Sequence, residues 1–106
     1  MDGAERLTIT SGEGPGSELA VVGELDAYTA PALEGRLLGS IADDDLRIDL
    51  SGVSFMDSTG IRVIVKVDNE LRTRDRVLVI VRPSPAVLRL LQLTSLDDRL
   101  RIEAAS

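Results

Sequence analysis

Few residues of this chain are equipped for chemistry. It has no cysteine and no histidine, which removes thiol nucleophiles, disulfides, zinc sites and every histidine-based triad at once. Carboxylates, hydroxyls, arginines and a single lysine, Lys66, remain. They gather most tightly in FMDSTGIRVIV (55–65), where Asp57, Ser58, Thr59 and Gly60 stand directly before an apolar run. A further carboxylate, Asp26, lies in GELDAYT. A hydroxyl at such a position is a good place for a phosphoryl group. Phosphorylation of Ser58 would add roughly −1.5 to −2 charges. A helix N-terminus tolerates that charge through its dipole and free amides, so the surface would change while the fold stands.

Other chemistries compete for the same residues. Asp26 and Asp57 are the only carboxylates the topology would bring together as an acid/base pair, yet a domain this small, without a metal-ligand set or an evident deep pocket, argues against catalysis. Asp57 itself could take an acyl phosphate, as in response-regulator receivers. Against this, the first strand runs into TSGEG rather than an acidic pair for Mg²⁺, and no lysine follows Lys66. The structural alternatives are plain: Ser58 and Thr59 as N-caps, Asp57 as a first-turn acid, Asp26 as a turn residue, and Gly60 as a point of close approach for a partner or a neighbouring element.

The elements that must position these residues follow from the rest of the sequence. At 106 residues the chain suits one domain spanning 1–106 and is short for two. Its core must be aliphatic, because Phe55 and Tyr28 are the only aromatics. Strands are predicted at Arg6 to Thr10 and Glu18 to Leu25, joined by SGEGPGS as a long hairpin turn. Those glycines are followed by a strand rather than a helix, so they do not make a phosphate-binding loop. TAPALEGRLLGSIA predicts a helix with Thr29 as N-cap, Pro31 in the first turn, and Leu33, Leu37 and Ile41 on one face. Asp43 to Asp45 make a solvated connection into the strand LRIDL.

The segment after Gly60 alternates like a strand, yet it also places Ile61, Ile64, Val65 and Leu71 on one helical face. Helix is preferred because Ser58 and Thr59 suit an N-cap and Arg72 and Arg74 a C-terminus. RVLVIV is strand-like, and PSPAVLRLLQL is a helix with a Ser84 cap, Pro85 at its first position and Val87, Leu88 and Leu91 in the core. A short strand near RLRIE closes the order β-β-α-β-α-β-α-β. The fold class is α/β: a mixed sheet of four to five strands with helices packed on it. If the second and third strands are neighbours, Asp26 and Asp57 open on one end of the sheet.

The net charge of −6 and the dispersed arginines argue against nucleic acid and against an acidic membrane surface. The N-terminus lacks the features of a signal peptide and no run is long enough to span a membrane, which makes the cytoplasm the expected compartment.

GELDAYTAPAL, IDLSGVSFMDSTGIRVIV and RPSPAVLRLLQLTSL, taken in that order, resemble successive signatures of the STAS domain, specifically of bacterial anti-sigma factor antagonists. The resemblance spans nearly the whole chain. It implies a STAS fold and a non-enzymatic protein whose unphosphorylated form captures an anti-sigma factor and frees a sigma factor for transcription, for example in a stress response. In this family the anti-sigma factor is commonly a serine/threonine kinase of GHKL type, which holds the ATP, while the antagonist needs no cofactor or metal of its own; a serine phosphatase reverses the mark. By the same resemblance the phosphoacceptor is Ser58, and Asp26, Asp57, Thr59 and Gly60 lie at the docking edge. Arg62 departs from the pattern, since glycine is common there. At i,i+4 from Ser58 its guanidinium would reach a phosphate on that residue. A constitutive STAS interaction module without phosphorylation is the alternative.

Overall fold

A computed structural model describes residues 6–12 and 18–103. The order is β1 (Leu7–Ser11), β2 (Leu19–Leu25), α1 (Ala30–Leu38), β3 (Leu46–Met56), α2 (Ser58–Arg72), β4 (Leu78–Val81), α3 (Pro85–Leu93) and β5 (Arg101–Glu103). The order is the predicted one; residues 13–17 of the SGEGPGS turn lie outside the described residues. The sheet runs β1-β2-β3-β4-β5. β1 and β2 are antiparallel, and the other three neighbouring pairs are parallel, as expected once helices take over the connections.

Alternation in the strands sorts the faces. Leu46, Ile48, Leu50, Leu78 and Ile80 join Leu33 and Leu37 of α1, Ile64, Val67 and Leu71 of α2, and Val87 and Leu91 of α3 in one core. All three helices therefore pack on one face of the sheet. The intervening residues Arg47, Asp49, Val79, Val81, Arg101 and Glu103 fall on the opposite face.

The ambiguous segment is a helix because a buried stripe at three- and four-residue spacing, Ile61, Ile64, Val67 and Leu71, outweighs the β preference of its branched residues. Val65, expected in that stripe, is half-buried, and Val63 is buried instead. Ser84 caps α3 as expected, accepting from the Val87 N–H at 3.2 Å. Leu88 is half-buried rather than core, since the buried face of this short helix is only wide enough for Val87 and Leu91. Ile41 lies beyond the end of α1 but still packs against the core. Asp43, Asp44 and Asp45 are exposed, although Asp45 also accepts from the Val77 N–H at 2.9 Å.

Candidate functional site

β2 and β3 are parallel neighbours with Leu25 opposite Met56. Asp26 and Asp57 each follow one of those residues, so both turns open on the same end of the sheet. A backbone bond ties them, the Asp57 N–H donating to the Leu25 carbonyl at 3.1 Å.

Asp57 is the N-cap of α2. Its backbone is extended (φ −114°, ψ −169°) and its carboxylate accepts from the Thr59 N–H at 2.9 Å and from the Thr59 hydroxyl. This corrects the expectation that Ser58 or Thr59 caps the helix. A cap needs extended backbone, and the residue leaving β3 has it, whereas Ser58 is already helical. Ser58 is thus the first helical residue, and it is exposed. The Asp57 carbonyl accepts from the Gly60 and Ile61 N–H groups at 3.1 and 3.3 Å. The first-turn amides are therefore largely occupied, and a phosphate on Ser58 would project outward beside the Asp57 carboxylate.

Gly60 is buried, and a Cβ there would lie 2.8 Å from Met56 Cγ and 3.2 Å from Leu25 Cβ. The close approach it permits is between the start of α2 and the ends of β2 and β3.

Asp26 organises its own turn. Its Oδ1 accepts from the Tyr28 and Thr29 N–H groups at 2.9 and 3.1 Å, and its Oδ2 from Arg6. Thr29 sits at the N-cap position of α1 without capping it; its hydroxyl donates instead to the Glu24 carbonyl at 2.7 Å. Partial burial pushes the Asp26 carboxyl up, but the Thr29 N–H, Arg6 and the Tyr28 N–H outweigh it and hold it below the usual carboxylate range. Asp26 is held by its own turn and by Arg6, and Asp57 by Thr59; among the described residues no hydrogen bond joins the two carboxylates.

Arg62 is exposed one turn after Ser58 and helps to line an open groove of about 1000 Å³ between α1 and α2, with Ala27, Pro31, Thr59 and Val65. Lys66 and Glu34 meet across it at 2.7 Å. Among the described residues no group of carboxylates could hold a metal ion, and no described helix is long and apolar enough to cross a membrane.

The structure adds residues that the motifs did not single out. Gly23 has φ +127°, and a Cβ there would meet the Arg6 carbonyl at 1.9 Å, so only glycine lets the chain around Arg6 lie this close to β2. Arg6 bonds to Glu24 at 2.9 Å as well as to Asp26. Tyr28 and Phe55 are both exposed. Their signal in the sequence was position: the only two aromatics stand two residues after Asp26 and two before Asp57.

Comparison with known proteins bears on the family and the fold. The STAS domain family model matches residues 12–106. An anti-sigma-B factor antagonist of Listeria monocytogenes is 41% identical over 88 residues, covering 81% of this chain and 77% of that protein. One from Staphylococcus aureus is 38% identical over 87 residues, covering 80% and 81%. The crystal structure of an anti-sigma factor antagonist from Mycobacterium paratuberculosis superposes with a TM-score of 0.83 at 28% identity, covering 99% of this chain and 92% of that one.

Proposed function

The chain belongs to the STAS domain family, and from that premise we propose that it is an anti-sigma factor antagonist switched by phosphorylation of Ser58. Unphosphorylated, it binds an anti-sigma factor that is also a GHKL-type serine kinase, and so frees a sigma factor in the cytoplasm. Asp26, Asp57, Ser58, Thr59 and Arg62 form the docking edge, and Gly60, buried beneath it, seats the start of α2 against β2 and β3. The kinase holds ATP; this chain supplies only the acceptor and catalyses nothing. The Ser58 oxygen attacks the γ-phosphorus, the bond to ADP breaks, and the serine proton leaves to the kinase. A serine phosphatase hydrolyses the ester and restores the binding form.

One observation carries this reading: Ser58 is exposed at the first position of α2 while Asp57, not Ser58, caps the helix. The hydroxyl can be esterified without removing a cap. Because the Thr59, Gly60 and Ile61 amides already have partners, the added charge faces the incoming protein and meets it as repulsion and desolvation cost. Arg62, one turn on, partly neutralises that charge and makes the switch less steep.

The test uses the anti-sigma kinases encoded in the same genome. Ser58→Ala should fold, bind its kinase and resist release by ATP, while Ser58→Glu should fold and bind poorly. Mass spectrometry after incubation with kinase and ATP should place the phosphate on Ser58. Arg62→Gln should lower the residual affinity of the phosphorylated form; an unchanged value removes Arg62 from the switch. Equal binding by the alanine and glutamate variants would instead indicate a constitutive interaction module.

A further inference from the structure

The outer face of the sheet, which none of the described helices covers, is divided. Toward β4 and β5 it is closed by ion pairs. Arg47 bonds to Glu103 at 2.7 Å, and Arg82 reaches Asp49 at 2.9 Å and also Glu18. Val79 and Val81 lie between these charged rows, Arg47 opposite Val79 and Glu103 opposite Val81, and each is only 2% exposed. The alkyl stems and paired heads of charged side chains seal the valines from water.

At the other corner, where β2 and β3 end, nothing comparable among the described residues covers the apolar groups. Val22 is 53%, Phe55 49% and Tyr28 67% exposed. A chain of neighbours joins Phe55 and Tyr28 into one strip. Glu24 is the cross-strand neighbour of Phe55, Arg6 bonds to Glu24, and the Arg6 guanidinium lies 5.8 Å from the centre of the Tyr28 ring. Arg6 is itself held by Asp26, so Tyr28 is braced rather than loose. The only two aromatics of an aliphatic-cored chain are thus kept out of its core and presented together, next to the turns that carry Asp26 and Ser58. Large, pre-positioned aromatic rings with few rotatable bonds are the side chains that most often dominate binding energy.

We propose that Phe55 and Tyr28 are the hydrophobic anchors with which the chain docks on its anti-sigma factor, through an apolar cleft rimmed by basic residues. This rests on the function proposed above. The charge around the strip selects that occupant: Glu24, Asp26 and Asp57 outnumber Arg6, and the chain carries −6 overall. A second copy would set acidic rim against acidic rim, which electrostatic complementarity disfavours. With the anchors engaged, Ser58 sits beside an occupied interface, so a phosphate there opposes a contact whose apolar part is unaltered.

The experiment titrates the wild-type chain and its Phe55→Ala, Tyr28→Ala and Leu93→Ala variants, without ATP, into the anti-sigma kinases of the same genome, with calorimetric detection. Leu93 is 70% exposed on α3 and serves as a distant apolar control. Circular dichroism should show all variants folded. Phe55→Ala and Tyr28→Ala should each weaken binding at least about thirtyfold, the loss typical of a hot spot, and Leu93→Ala should leave it within about twofold. Wild-type binding that neither aromatic substitution alters would overturn the anchors and leave the proposed function standing. An equal loss with Leu93→Ala would overturn them as general stickiness. A dimer in sedimentation that Phe55→Ala dissolves, with kinase binding unchanged, would give the strip to a second copy. If no kinase binds the wild-type chain, the proposed function falls and the anchors with it.

Discussion

Asp57 caps α2 and its neighbour Ser58 is the proposed acceptor, and substitution can separate the two roles. Asn caps a helix about as well as Asp, whereas Ala loses about 1 kcal/mol. Asp57→Ala should therefore lower the unfolding free energy by about 1 kcal/mol, and Asp57→Asn should leave it nearly unchanged, both read from urea titrations. Binding of the anti-sigma kinase gives the complementary readout. If the Asp57 charge helps docking, Asp57→Asn weakens the complex although it spares the fold; unchanged affinity would confine Asp57 to capping. Which of the residues Asp57, Ser58 and Thr59 caps the helix was not legible in the sequence, since all three types favour that position and the backbone angles decide among them. The DSTG motif itself, with its hydroxyl at a helix start, was legible from residue types alone.

At the level of elements, α2 is fixed at both ends. Its start packs on Leu25 and Met56 through Gly60. Its far half is held by Asp68, which is fully buried and accepts from the Leu78 N–H of β4 at 3.0 Å and from Arg72 Nε at 2.7 Å. Asp68→Ala strands a buried donor and should cost about 3 kcal/mol. Asp68→Asn keeps an acceptor for Leu78 and should cost less; equal losses in thermal or urea unfolding would contradict this account. Helical spacing put position 68 on the buried face, four residues after Ile64 and three before Leu71, but its residue type, a carboxylate, reads as solvent-facing until the β4 backbone arrives beside it. The termini of α1 and α3 were readable through Pro31 and the Ser84-Pro85 pair. The strand–helix ambiguity of the IRVIV segment was real in the sequence, and contacts with distant residues resolve it. The exposure of Phe55 and Tyr28 was equally hidden, since the sequence does not say which face of β3 is covered.

Over the whole molecule, acid should be the condition that unfolds it. Glu103 is held below the usual carboxylate range by its hydrogen bond from Arg47. Asp49 is also lowered: burial pushes it up, but bonds from Ser51 and Arg82 outweigh burial; Asp26 behaves likewise. Groups whose folded values are depressed contribute stability that is complete above their unfolded values, 3.8 for Asp and 4.5 for Glu. That stability is lost as pH falls through the folded values. With no histidine in the chain, the urea midpoint should be level from pH 7 to about 5 and should fall below about pH 4.5. Arg82→Ala should flatten the acid limb, and a midpoint that declines between pH 7 and 5 would refute this assignment. The separation of cap from acceptor also bears on inheritance. Under the proposed function, a single codon change at Ser58 would turn a regulated antagonist into a permanently active one at almost no cost in folding, so kinase control could be gained or lost while the scaffold is left intact.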